Sequence, residues 1–143
     1  PEADRGVHAF TYSLLPHAGD WRAGGTVRRA WELNVPVVCV PAAGSAGTAA
    51  SSSPPVPRSF VAIDGPGVLE ALKAAEDGDG WIIRIGEPHG GRGRVAVGLP
   101  RRLARVEACN HVEEGGEPVA HDGAAFHFAI RPFEVKTFRL RFR

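Results

Sequence analysis

Apolar side chains recur at every second residue in several separate stretches of the sequence, and this pattern constrains the fold more than any other feature. A period of two places the apolar groups on one face of a β-strand, whereas an amphipathic helix needs a period of about 3.6. The pattern predicts strands over residues 8–14, 81–85, 95–99, 104–110, 119–121, 126–130 and 138–142. Residues 68–76 have helical spacing, but the turn residues on both sides and the strand directly afterwards favour a hairpin strand there. The sequence therefore predicts an all-β fold.

Composition supports many tight turns between these strands. The chain has 18 glycines and 12 prolines among 143 residues, about twice the average usage of these two residue types. Its hydrophobic fraction of 43% is typical of a folded protein. A chain of this length can bury roughly two-thirds of its unfolded surface. We therefore expect residues 1–143 to form a single domain.

Charge and hydropathy exclude two classes of partner. Seventeen basic residues against sixteen acidic ones give a net charge of +1, which argues against a nucleic-acid-binding protein. No apolar stretch approaches the roughly 20 residues that span a bilayer, so we expect no membrane partner. The chain starts at Pro1 and lacks methionine, so we expect it to be a piece of a longer protein. Sparse cysteines and the missing leader favour a bacterial cytoplasmic location.

Two segments depart from the strand pattern. Residues 26–33 carry apolar side chains at helical spacing, with Thr26 as the expected N-cap, and predict one short helix. Residues 41–57 are rich in alanine, serine and proline, and we expect them to form one long loop inside the domain. The alternative is a linker between a small N-terminal piece and a larger β-rich piece.

The last run of apolar residues changes parity. Phe133 and Val135 are odd-numbered, whereas the apolar residues from Phe138 onward are even-numbered, which predicts a β-bulge near residues 136–137. The alternating terminal arginines 139, 141 and 143 are expected to lie on the solvated side of an edge or outer strand. A patch that binds nucleic acid or a sulfated glycan is the alternative.

The two cysteines, Cys39 and Cys109, are too few for a disulfide framework. We expect both to be buried thiols, with Cys39 inside a sheet because it lies in an apolar run. A disulfide between them is the alternative.

The sequence marks no catalytic residue and no set of metal ligands. Glu87 follows a predicted strand and is the best single candidate for an acid; the alternative is a turn carboxylate that binds backbone amides or pairs with Arg84. His17 and Asp20 could contribute to a metal site. Alternatively, they stabilise a turn in which Asp20 accepts bonds from backbone amides and His17 contacts a carbonyl.

Four aromatic residues have two possible roles. Tyr12, Trp21, Trp31 and Trp81 could form a platform on which a sugar stacks, as in a free-standing carbohydrate-binding module. Core packing is the alternative for side chains at these spacings.

Five short motifs, in which x is any residue, carry a resemblance to a known family. They are HxFTYSLLPHxGDW over residues 8–21, AxxLNxP over 30–36, LKxAEDG over 72–78, RxxExxG over 84–90 and RPFEVKTF over 131–138. In this order and register the chain resembles the C-terminal region of glycoside hydrolase family 38 α-mannosidases. The resemblance covers nearly the whole chain apart from residues 41–57.

The resemblance implies an antiparallel, supersandwich-like β-sandwich within a retaining, zinc-dependent α-mannosidase. Its implied partners are an N-terminal catalytic α/β barrel, a helical bundle and an α-mannoside glycan, and the parent enzyme could be a homo-oligomer. The zinc ligands and the catalytic carboxylate of the family belong to the upstream parts, so no cofactor is expected in this chain. The chain would then be a non-catalytic domain that stabilises the barrel and borders the mannoside site.

Two turns are the candidate contact regions for the sugar or the barrel, because they combine glycines, charged groups and an aromatic side chain. The candidate residues are His17, Asp20, Trp21, Arg84 and Glu87.

Overall fold

The structure, a computed structural model, describes residues 5–39 and 59–143. The chain divides into two compact units, Pro1–Ser45 and Ala46–Arg143. The predicted loop over residues 41–57 lies outside the described residues. That residues 1–143 form a single domain stays a prediction.

The C-terminal unit consists of antiparallel strands. They are β1 (Ala62–Asp64), β2 (Val68–Ala74), β3 (Trp81–Gly86), β4 (Gly93–Gly98), β5 (Leu103–Cys109), β6 (Glu117–Pro118), β7 (His121–Asp122), β8 (Ala125–Ile130) and β9 (Val135–Phe142). One sheet has four strands in the order β1-β4-β8-β7, and the other has five in the order β2-β3-β9-β5-β6. The prediction of an all-β, antiparallel β-sandwich is confirmed.

The inner faces of the two sheets share one apolar core. Val95, Val97 and Phe126 from the four-stranded sheet pack in the same buried cluster as Ile83 and Phe138 from the five-stranded sheet. The ring centroids of Phe126 and Phe138 are 5.1 Å apart. Alternate residues of each strand face this core, as the period-two pattern requires.

Most predicted strands are present, but two shorter strands replace one of those predicted. Residues 119–121 do not form the single strand that was predicted. Instead, β6 pairs with β5, and β7 pairs with β8, so the chain changes sheets between them. Each of these strands has only two residues, which is too short for a periodic pattern to reveal.

Strand β9 lies in the middle of the five-stranded sheet, between β3 and β5. The prediction that its arginines line an edge or outer strand is therefore wrong. Four consecutive residues, from Thr137 to Leu140, are buried, so the strand is covered on both faces. The predicted bulge near residues 136–137 is also wrong, because pairing with β3 runs without a shift from Val135 to Leu140.

A polar network covers the face of β9 that points away from the core. Arg139 Nη1 donates to both carboxylate oxygens of Asp77, at 2.7 and 2.8 Å, and to the carbonyl oxygen of Asp79 at 2.8 Å. Arg141 donates to Asp79 and to Glu107. The hydrogen bond from Arg139 lowers the pKa of Asp77 to about 2. This network anchors the turn between β2 and β3 to the central strand.

The N-terminal unit contains one helix, α1 (Thr26–Asn34), which confirms the predicted helix over residues 26–33. Thr26 is not its N-cap. Gly25, in the left-handed conformation with φ of 64°, occupies that position and provides no side-chain cap. Glycine adopts this conformation without a steric penalty, which explains why it ends the preceding turn.

The predicted strand over residues 8–14 is absent, because these residues belong to no strand. The side chains of Phe10, Tyr12 and Leu14 are 82%, 80% and 86% exposed. Alternation supplies an apolar face, but a strand also needs a neighbour that pairs with its backbone. None of the described residues 5–39 is buried.

Two further predictions are wrong because side chains that were expected to be buried are exposed. Cys39 is an exposed free thiol rather than a buried one, because residues 37–39 belong to no sheet; Cys109 is also free and is half-buried. Core packing is wrong for Tyr12, and Trp31 and Trp81 are 43% and 41% exposed.

We expect Arg139→Ala to lower the free energy of unfolding of the chain by about 2 kcal/mol, because it removes several charge-assisted hydrogen bonds on a buried face. Urea denaturation measures this change. Arg94→Ala is the control, since Arg94 is an exposed arginine on β4, and a surface substitution changes stability by about 0.5 kcal/mol or less. Equal effects of both substitutions would contradict the central role of Arg139.

Candidate functional site

The turn after β3 is organised by the buried carboxylate of Glu87. Its Oε1 accepts the backbone N–H of His89 at 2.9 Å, and its Oε2 accepts those of Gly90 at 2.8 Å and Phe133 at 3.1 Å. Glu87 is only 3% exposed. The carboxylate therefore joins two separate turns, residues 87–90 and 131–134, through backbone amides.

The surroundings of Glu87 favour its ionised form. Burial by itself raises the pKa of this carboxyl, but the hydrogen bonds from the amides of Phe133, His89, Gly91 and Gly90 outweigh burial and hold the pKa below its usual value of 4.5. An acid that protonates a leaving group needs a raised pKa instead. Of the two interpretations from the sequence, the structure therefore favours the turn carboxylate.

Arg84 and Glu87 make different contacts, although they are only three residues apart. The Nε of Arg84 donates to Thr137 Oγ1 at 3.3 Å, and its Nη2 donates to the carbonyl oxygen of His111 at 2.9 Å. Arg84 thus holds the turn that follows β5 against β9.

The other three candidate residues share one turn of the N-terminal unit. Asp20 Oδ1 accepts the backbone N–H of Arg22 at 3.0 Å and of Ala23 at 2.9 Å, as the turn interpretation predicted. The hydrogen bond from Ala23 is the main reason that the pKa of Asp20 lies below its usual value. His17 Nδ1 lies 3.4 Å from the carbonyl oxygen of Ala18. Trp21 is half-buried, with the Arg22 guanidinium 4.5 Å from its ring centroid.

The structure brings the candidates together as two groups, one in each unit. His17, Asp20 and Trp21 lie within a single turn, whereas Arg84 and Glu87 belong to the β-sandwich. Whether any of these five residues contacts a sugar or another domain stays a prediction.

Sequence reasoning missed Glu113. This carboxylate is buried, accepts the backbone N–H of Glu76 at 2.8 Å and lies 2.7 Å from Lys73 Nζ. Its own φ is 67°, which is uncommon for a non-glycine residue. The motif LKxAEDG, which also includes Asp77, contains Lys73 and Glu76, the two partners of Glu113. The sequence therefore marked the partners of Glu113 but not Glu113 itself. Nothing in the sequence near Glu113 marked its partners, which are far away along the chain.

Zinc, which the family resemblance implies for the parent enzyme, does not fit the residues of this chain that the structure describes. Across residues 5–39 and 59–143, no three His, Cys, Asp or Glu side chains converge to form a potential metal site. No helix in the described ranges is both long enough and apolar enough to span a membrane.

These features define a class: an antiparallel β-sandwich domain whose buried carboxylates organise turns. Residues 68–138 match the sequence model of the glycosyl hydrolases family 38 C-terminal beta sandwich domain. The chain belongs to glycoside hydrolase family 38, as a C-terminal β-sandwich domain.

Named relatives are α-mannosidases. The chain is 28% identical over 144 residues to alpha-mannosidase G of Dictyostelium discoideum and 28% identical over 145 residues to alpha-mannosidase 2C1 of Mus musculus. It is 30% identical over 123 residues to alpha-mannosidase 2C1 of Homo sapiens. The matches cover 95%, 96% and 83% of this chain but only 12%, 13% and 11% of the respective relatives.

We expect Glu87→Gln to lower the free energy of unfolding by about 2 kcal/mol at neutral pH, because the amide nitrogen cannot accept the backbone bonds that a carboxylate oxygen accepts. Since folding lowers the pKa of Glu87, its ionised form stabilises the fold above pH 4.5, and this contribution is lost as the pH falls through the lower folded pKa. Urea denaturation of the unchanged chain and of Glu87→Gln, between neutral and acidic pH, measures both free energies of unfolding. The difference between them should become smaller as the pH falls.

Glu117→Gln is the control for this experiment, because Glu117 is exposed on β6. A stability difference for Glu87→Gln that is no larger than the control, or that grows towards acidic pH, would contradict the role assigned to Glu87.

Proposed function

We propose that the chain is a non-catalytic C-terminal β domain of a zinc-dependent α-mannosidase, that it stabilises the catalytic part and that it borders the mannoside site. The observation that carries the proposal is the combination of the family match over residues 68–138 with alignments that cover most of this chain but only 11–13% of each relative. The α-mannosidase activity, the zinc and the catalytic barrel would then belong to the remainder of the enzyme.

The stabilising role is supported by the apolar surface of the N-terminal unit. Large exposed apolar patches on a soluble protein commonly mark interaction sites. Between residues 5 and 39 the exposed large apolar side chains are Val7, Phe10, Tyr12, Leu14, Leu15, Trp31, Leu33, Val35, Val37 and Val38. Burying these groups against another part of the enzyme would add hydrophobic stabilisation to both surfaces.

The absence of catalysis is supported by how the acidic groups are used. Glycoside hydrolysis needs an acid with a raised pKa and a second carboxylate at a suitable distance. The pKa values of Asp20, Glu87 and Glu113 are instead lowered by hydrogen bonds that hold turns or pair with lysine. These carboxylates therefore suit structural roles.

A free-standing carbohydrate-binding module is the alternative, and the exposed tryptophans favour it. Trp81 faces Phe60, with ring centroids 6.1 Å apart and planes inclined by 34°. A sugar-stacking platform works best with a flat, accessible ring, so this tilted pair gives only partial support. Saturable glycan binding by the isolated chain would favour this alternative.

The isolated chain should not hydrolyse an aryl α-mannoside, with or without added zinc, because the catalytic groups would lie elsewhere in the enzyme. Release of the aryl alcohol measures turnover, and the full-length enzyme under the same conditions is the positive control. Robust zinc-dependent turnover by the chain would disprove the non-catalytic role.

We expect Trp21→Ala in the full-length enzyme to raise KM for an aryl α-mannoside several-fold, with little change in kcat, if the turn at residues 17–21 borders the mannoside site. Trp31→Ala is the matched control, because Trp31 is an exposed tryptophan of the same unit. Unchanged KM for Trp21→Ala would contradict the border role, and equal increases for both would favour an extended aromatic platform.

A further inference from the structure

A cleft of about 520 Å³ lies where the end of β5 meets the start of β9. Its walls include Cys109, Asn110, His111 and Val112 on one side and Val135 and Thr137 on the other. The ladder between the two strands forms part of it, because Cys109 pairs with Thr137. Clefts of this size accommodate several side chains or a small ligand.

The turns beside the cleft have unusual backbone conformations. Among the described residues, two non-glycine residues have positive φ, Glu113 at 67° and Phe133 at 56°. Glu113 follows the wall residue Val112, and Phe133 lies two residues before the wall residue Val135. Strained conformations of this kind persist where the surrounding structure enforces them, and they cluster at functional sites.

Buried carboxylates hold both turns in these conformations. The side chain of Glu113 accepts the backbone N–H of Glu76 and pairs with Lys73, whereas Glu87 accepts the backbone N–H of Phe133. The two turns are therefore fixed by the same device, a desolvated carboxylate that binds backbone amides or a basic side chain.

This arrangement presents apolar side chains to solvent. Val112 and Phe133 are 71% and 67% exposed, more than the other exposed large apolar side chains described in the C-terminal unit, Phe60, Leu69 and Trp81. Exposed apolar side chains on rigid turns are suited to a contact surface, because groups that are already fixed lose little conformational entropy on binding.

Three polar atoms of the cleft have partners within the chain. Asn110 Oδ1 accepts the backbone N–H groups of Val112 and Glu114, and Thr137 Oγ1 accepts from Arg84. His111 Nε2 lies 3.4 Å from the carbonyl oxygen of Val135. A sugar needs several polar partners for its hydroxyl groups, so these contacts favour an apolar side chain over a glycan as the occupant.

We propose that this cleft, with Val112 on its wall and Phe133 in the turn that precedes its wall residue Val135, is the docking site for an apolar segment of the catalytic part of the same α-mannosidase. The inference rests on the proposed function. It is supported by the length of the relatives, of which this chain spans only 11–13%, so that most of such an enzyme is available to cover the cleft.

Chemical labelling of Cys109 can show whether the cleft is covered, because this residue lines the cleft and carries a free thiol. N-ethylmaleimide labelling is followed by mass spectrometry of the tryptic peptide 106–136, in the isolated chain and in the full-length enzyme. A docked segment should slow labelling of Cys109 in the enzyme by roughly tenfold or more. Equal labelling rates in the two proteins would overturn the proposal.

Val112→Asp in the full-length enzyme should restore labelling to near the rate of the isolated chain, because a charge in an apolar contact is costly to bury. Phe60→Asp is the matched control and should leave Cys109 protected. If Val112→Asp unfolds the isolated chain, Phe133→Asp replaces it. Protection that survives both cleft substitutions overturns the proposal.

Two other occupants give distinct results. Protection of Cys109 in the isolated chain by methyl α-mannoside would identify a sugar site, and labelling that slows with increasing chain concentration would identify a second copy of the chain. Either result overturns the proposal.

A separate measurement tests the proposed function on which this inference rests. Phe10→Asp should lower the thermal midpoint of the full-length enzyme, whereas Thr11→Asp, its neighbour in sequence, should lower it less. If Phe10→Asp destabilises the enzyme while Cys109 stays fully reactive, only the cleft proposal fails. If Phe10→Asp has no effect, the stabilising role fails.

Discussion

The position of β9 at the centre of the five-stranded sheet is the constraint on which the rest of the sandwich depends. Phe138 and Leu140 on one face belong to the apolar core. On the other face Arg139 is buried as well, which is compatible with folding only because its guanidinium is hydrogen-bonded to Asp77 and to backbone carbonyls. One strand therefore carries both the hydrophobic core and the polar network that fixes the neighbouring turns.

Three carboxylates among the described residues hold turns by accepting backbone N–H groups. Asp20 stabilises the turn before α1, Glu87 joins the turn after β3 to the turn before β9, and Glu113 joins the turn after β5 to the end of β2. Lowered pKa values keep all three groups ionised near neutral pH. A domain with this chemistry is suited to holding surfaces in place for a neighbour, which agrees with the accessory role that we propose.

The two units differ in how far they bury their apolar residues. The C-terminal unit buries one cluster of large apolar side chains between two sheets, whereas the N-terminal unit leaves Phe10, Tyr12 and Leu14 exposed. The alternating pattern of residues 8–14 is nevertheless typical of a half-buried strand. A segment with this composition gains stability when another surface covers its apolar face, which agrees with the stabilising role that we propose.

The sequence by itself determined the all-β class, the helix near residue 26, most strand positions and, through five motifs, the family. Alternation, helical spacing and turn residues are local signals, so they are visible in the order of residues. Only the tertiary structure decided that β9 is central, that Arg139 is buried, and that buried carboxylates hold the turns containing Glu113 and Phe133. Those features depend on which distant strands pair, and on hydrogen bonds between residues 26 to 62 positions apart along the chain. Side-chain periodicity carries no record of such pairing, which explains why the terminal arginines were assigned to the surface.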